Sequence, residues 1–219
     1  MTTETVDRSL LALIVLTLIA SVVIALAAPQ YFDQTFAAED RLVEYGTAVF
    51  LLVASAVQVR RAVGQARRVA WVAAALTMIY ALLFFFAAGE EISWGQRIFD
   101  WETTEFFEEN NAQGETNFHN FVVGGQPLTR TLFGSVLTTA LLLYLVVLPL
   151  LYPRVALIRR LADALVVPVP GLRHAGFAVV ASLVIAVIEP SRKWEVYELI
   201  FALLATSIFI LPTNRDKID

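Results

Sequence analysis

Long apolar runs separated by short polar connections dominate the chain, and the runs are too continuous for amphipathic helices of a soluble core. Those long enough to cross a bilayer predict helices near Leu10–Ala28, Leu42–Val59, Val69–Ala88 and Leu132–Leu151. Two shorter runs, Ala175–Ile188 and Tyr197–Leu211, cross roughly 30 Å of hydrocarbon only if flanking residues are drawn in. They then extend to 172–188 and 194–211, the last helix starting near Trp194. The expected fold is all-α, a polytopic membrane helix bundle of about six transmembrane helices forming a single domain, with a long connection at 89–127.

Composition agrees. Of 219 residues, 58% are hydrophobic and 16% charged, and the mean hydropathy is +0.69. Soluble domains carry about 25% charged residues, so an ordinary globule and a disordered chain are both excluded. With no cysteine, disulfides, thiolate metal sites and cysteine nucleophiles are ruled out, and two histidines are too few for a three-histidine zinc site.

Charge sets the orientation. Arg60, Arg61, Arg67 and Arg68 lie between the second and third runs, and Arg154, Arg159, Arg160 and Arg173 between the fourth and fifth. Positive residues favour the cytoplasmic side, which places both termini in the cytoplasm and the 89–127 loop outside the cell membrane. Basic residues at that inner surface are accounted for by anionic lipid, so no nucleic-acid partner is expected. Acidic residues concentrate on the outer side; only Glu4, Asp7, Asp163, Asp216 and Asp219 lie inside. Ala25-Leu26-Ala27 resembles a signal-peptidase site, but Glu4 and Asp7 make a poor positive leader before it.

The candidate chemistry follows from polar residues kept near the outer ends of the spans. Glu44, Thr47, Ser55 and Gln58 share one helical stripe, so Glu44 points into the bundle or reaches out to the headgroups. On a helix continued through Gly89, Glu91 falls on the inward stripe of Thr77, Ala81, Phe84 and Ala88, while Glu90 points away. Arg97 can neutralise one of these acids, and Trp94 and Trp101 read as interfacial anchors. Thr103 and Thr104 can cap a short helix through Glu105–Glu109, either a lid in the interface or a solvated acidic helix. Glu115 and His119, as i and i+4 neighbours on a helix, would suit metal ligation or acid/base work. His174 reads as an interfacial residue without chemistry. Glu195 and Glu198 share a face with Ala202 and Thr206 at the outer start of the last run.

The segments Gly89-Glu90-Glu91-Ile92-Ser93-Trp94-Gly95-Gln96-Arg97 and Asn111-Ala112-Gln113-Gly114-Glu115-Thr116-Asn117-Phe118-His119-Asn120 resemble those of a group of uncharacterised prokaryotic multi-span integral membrane proteins. The resemblance covers about a third of the chain and implies the multi-span architecture without an activity. Membrane hydrolases of the alkaline ceramidase type are a more distant likeness; their three-histidine site has only His119 to correspond to it on the outer side here.

Three readings follow. In the first, Glu91, Glu115 and His119 hold a divalent metal that activates water against a lipid-like ester or amide from the outer leaflet, supported by Glu44, Ser93, Arg97, Asn117, Asn120 and Glu198. In the second, Glu44, Glu91 and Glu198 relay protons for transport, although no pair of broken helices marks an alternating-access core. In the third, the outer acids with Arg97, Arg130, Arg192 and Lys193 form a polar cap that packs the bundle or receives a protein partner.

Overall fold

The computed structural model describes residues 2–129 and 131–219; Arg130 lies outside the described residues. Most of the described residues are helical, with one short hairpin of Val122–Val123 and Gln126–Pro127, and four of the helices are long and apolar enough to cross a membrane. These are α1 (Thr3–Ala27), α2 (Leu42–Arg67), α3 (Trp71–Glu91) and a fourth over Gly134–Leu151. A short helix, α4 (Glu105–Asn110), precedes that fourth one, here called α5. After it come α6 (Ala156–Ala164), α7 (Leu172–Val187) and α8 (Lys193–Ile210). The two weaker apolar runs are therefore helices, of 16 and 18 residues, with boundaries close to those expected.

The last of them forms the centre. Helix α8 packs against α1, α2 and α7, and Val196, Ile200, Leu203, Leu204 and Ile208 are sealed from solvent. The outer faces of the surrounding helices stay apolar and exposed, as at Leu16, Leu26, Leu82 and Leu183, a surface suited to hydrocarbon and costly in water. Polar side chains along the helix contacts find backbone acceptors: Ser55 of α2 donates to the Ala81 carbonyl of α3 at 2.8 Å, and Thr206 of α8 donates to the Phe50 carbonyl of α2 at 2.9 Å.

Both chain ends meet at one end of the bundle. Arg61 of α2 binds the Asp219 carboxylate at 2.8 Å and the Phe209 carbonyl at 2.8 Å, and Gln65 donates to the Ile218 carbonyl. Beside them, Ser207 Oγ donates to Asp7 at 2.5 Å and joins His174 Nε2 at 2.9 Å. His174 Nδ1 accepts the Gly171 N–H at 2.9 Å, so its proton resides on Nε2. That tautomer leaves no lone pair to activate the serine, and the trio is a lock between α1, α7 and α8. His174 is fully buried within that lock, which corrects its expected place at the interface.

Truncating the centre should cost more than truncating the rim. Leu203→Ala opens a cavity at a side chain with 0% exposure, whereas Leu183→Ala trims one that is 62% exposed. The first variant is expected to lose about 2 kcal/mol or more, seen as a lowered melting temperature in detergent, and the second to stay near wild type.

Candidate functional site

The end of the bundle that carries the 89–127 loop is built on the turn that ends α3. Ser93, Trp94 and Gly95 all have positive φ, at 46°, 55° and 80°, which reverses the chain sharply after Glu91. The reversal lays the Trp94 ring over Gly89, where a Cβ would come within 2.8 Å of the indole, so only glycine fits beneath it. One helical turn, Gln96–Phe99, then leads into the outer loop.

Nearly every polar residue of this segment holds that loop. Glu90, 5% exposed, accepts from Trp94 Nε1 at 2.8 Å, from the Phe118 N–H at 2.5 Å and from the His119 N–H at 3.1 Å. Ser93 Oγ donates to Glu115 at 2.5 Å, and Asn117 Nδ2 donates to Ser93 at 2.8 Å and to Glu115 at 3.1 Å. Gln96 accepts the Thr116 N–H at 2.9 Å. Arg97 ion-pairs with Glu115 and with Asp40, and Arg192 carries the network on to Glu39 at 3.0 Å. Asn111, Gln113 and Asn120 close the loop on itself, Asn111 donating to Asn117 Oδ1 at 2.9 Å and Asn120 donating to Gln113 at 2.8 Å. Helix α4 belongs to the same unit: Phe107 packs edge-on against Phe118, and Phe106 lies beside Phe121. Thr104 stands at the N-cap position of α4, but the expected side-chain cap does not form, and Thr103 Oγ1 is instead shared with Thr116.

The residues around Glu115 and His119 form turns, because the asparagine side chains bond the local backbone in place of a helical ladder. The two are therefore not i, i+4 neighbours on a helix, and with Glu91 they do not form one ligand group. Glu115 is consumed by Ser93, Asn117 and Arg97. Glu44, expected to point into the bundle, accepts the Asp40 N–H at 2.5 Å and also lies near enough to Glu91, Glu195 and Glu198 to act on them electrostatically. Glu90, expected to point away from any site, anchors the loop.

Glu91 is the exception within its segment. It turns toward α8, where one oxygen each of Glu91, Glu195 and Glu198 lie within 4.8 Å of one another. Among the described residues this is the one acidic or histidine group placed to hold a metal ion. Among the described residues no hydrogen bond or salt bridge joins these carboxylates to another group, although Arg192 acts on Glu195 through space, whereas Asp40, Glu39 and Glu115 are each engaged directly by arginine. Three like charges so close repel strongly in a medium of low dielectric unless a cation, metal or proton, lies between them. The group offers only oxygen ligands, which favours a hard cation such as Mg²⁺, Mn²⁺ or Ca²⁺ over zinc. Glu195 was visible in the sequence as the i, i+3 partner of Glu198, but its approach to Glu91 depends on how α3 meets α8.

Two outcomes distinguish the loop anchor from the carboxylate group. Glu90→Gln sets an amide donor against N–H groups and should cost about 1.5–3 kcal/mol, with faster proteolysis within 96–127, while Glu91→Gln leaves that loop protected. The pH response has a separate origin. Burial pushes the His119 imidazole below its ordinary value, with Glu90 pulling it partly back. The unfolded chain then takes up that proton first, so stability falls as pH drops below about 6.5 and on through the folded value. Melting temperatures of wild type and His119→Gln should diverge above that range and converge below it.

No known family model matches the chain, and neither a curated protein nor a solved structure is similar to it.

Proposed function

We propose that this is a cell-membrane protein of six spans, with α7 and α8 completing the bundle, both termini cytoplasmic and the 89–127 loop outside. The arginines at the ends of α2 and α6 support that orientation, and chain ends that meet at one end of the bundle support an even number of crossings. At 1.5 Å per residue α7 and α8 measure about 24 and 27 Å, short of about 30 Å of hydrocarbon unless the polar residues flanking them sit at the headgroups.

At the outer end of this bundle, Glu91, Glu195 and Glu198 bind a hard divalent cation. The observation that carries this reading is the approach of three carboxylates from two helices, none of them joined to a basic side chain by a salt bridge among the described residues. Set near headgroup depth, such an ion would activate water toward an ester or amide of a lipid-like substrate arriving from the outer leaflet. The loop folded over the end of α3 would then shield the site and fix the direction of Glu91. Glu115, His119, Ser93, Asn117, Asn120 and Arg97 act on it through that loop, and Glu44 through the start of α2.

A second reading has one observation in its favour. The two resembling segments spend nearly all their polar groups on each other, as a structural cap for a partner subunit would.

Metal loading separates the two. Protein stripped with chelator, then dialysed against Mg²⁺, Mn²⁺ or Ca²⁺, is expected to take up about one ion per chain by elemental analysis and to melt at a higher temperature. Glu91→Gln and Glu198→Gln should weaken uptake by about tenfold or more, whereas His119→Ala and Glu115→Gln should retain it. Absence of uptake by folded wild-type protein under every loading condition would overturn the cation reading. Loaded protein that binds the ion yet leaves lipid esters and amides intact would overturn the hydrolase alone.

A further inference from the structure

At the other end of the bundle, α1 and α7 leave an open groove of about 570 Å³ between them. Its walls are apolar, with Val15, Leu18 and Val22 from α1 and Phe177 and Val184 from α7, and one charged residue, Arg173, stands at one end. Gly176 keeps it open: a Cβ there would meet nothing within 4 Å. The distance along α7 from Arg173 to Val184 is about 16 Å at 1.5 Å per residue, which matches half of a hydrocarbon core about 30 Å thick. The groove therefore has the length of one leaflet and a cation at the level of its headgroups.

Arg173 is oriented by Asp7, whose carboxylate lies 3.2 Å from one guanidinium nitrogen, yet its side chain remains 42% exposed. Part of its donor fork thus faces outward, where a phosphate can accept from it. A helix is a poorer fit for the groove. Helices that pack closely in membranes meet through stripes of small residues, and this lining has a single glycine among valine, leucine, isoleucine and phenylalanine.

We propose that this groove holds one anionic glycerophospholipid of the leaflet at the Arg173 end, with an acyl chain along α1 and α7 and its phosphate on the Arg173 guanidinium. The site depends on the bundle crossing a membrane and is independent of what the outer carboxylates bind. Its position on the arginine-rich side agrees with the leaflet in which anionic lipids concentrate. A lipid seated there would tie α1 to α7 beside the lock formed by Asp7, Ser207 and His174, which Arg173 joins through Asp7.

Protein extracted from the membrane fraction in mild detergent would be titrated, by native mass spectrometry, with phosphatidylglycerol and with phosphatidylcholine of the same acyl chains. Recovery from membranes tests the spanning architecture, and the lipid series tests the groove. Wild type is expected to take one phosphatidylglycerol at about tenfold or more higher affinity than phosphatidylcholine, and Arg173→Gln to bring the two affinities together. Gly176→Leu should remove the first-bound lipid of either class without lowering the melting temperature, since a Cβ there meets no atom within 4 Å, the groove has room for the rest of the side chain, and leucine suits a helix better than glycine. This variant keeps the test decisive if loss of Arg173 unsettles Asp7. Equal binding of both lipids by wild type, or undiminished binding by Gly176→Leu, would overturn the proposal. So would a wild-type dimer that Gly176→Leu disperses, which would assign the groove to a second copy of the chain.

Discussion

The end of the molecule that carries the 89–127 loop depends on one buried carboxylate. Glu90 sits at the end of an apolar helix and accepts three N–H donors, one from the indole that covers Gly89 and two from the backbone of a loop almost thirty residues further on. Charge-assisted hydrogen bonds of this kind are among the stronger polar interactions, and burial makes their loss expensive. Because successive residues on a helix point about 100° apart, fixing Glu90 under the loop also turns Glu91 away from it and toward α8. The structural anchor and the candidate ligand are thus neighbours in sequence with opposite duties.

This division explains why the outer acids form two populations. One is neutralised by Arg97 and Arg192 and knitted into the loop; the other is left facing itself across α3 and α8. Had the loop been held by arginine on Glu91, no unpaired carboxylate from α3 would remain to meet Glu195 and Glu198. The glycine and the three positive-φ residues at the end of α3 serve the same end, since they permit the reversal that brings Asn117 and Glu115 back over Ser93.

Much of the helical architecture could be read from the apolar runs, because in hydrocarbon a backbone must satisfy its own polar groups and a long apolar segment has few alternatives to a helix. Helix α8 was underestimated for an instructive reason. Its flanking acids shorten the apolar run, yet in space it is the most enclosed helix, with Leu203 and Leu204 sealed on all sides. The site was legible only in part. Periodicity correctly put Glu91 on a different face from Glu90, but it could not say which face the loop would occupy, because that choice rests on backbone turns at Ser93–Gly95 and on asparagine side chains that replace helical hydrogen bonds. Glu115 and His119 looked like neighbours because a helix was assumed beneath them. The link between Asp7, His174 and Ser207 joins residues up to two hundred positions apart and leaves no local signature.

The central place of α8 bears on how the protein is made. The helices that pack on it, α1, α2, α3 and α7, all leave the ribosome before it does. Until then Asp7, Gln65 and Arg61 have none of the acceptors and donors that they meet in the finished bundle at Ser207, Phe209, Ile218 and Asp219. The contacts that close the bundle around α8 therefore form late, after most of the chain has been made.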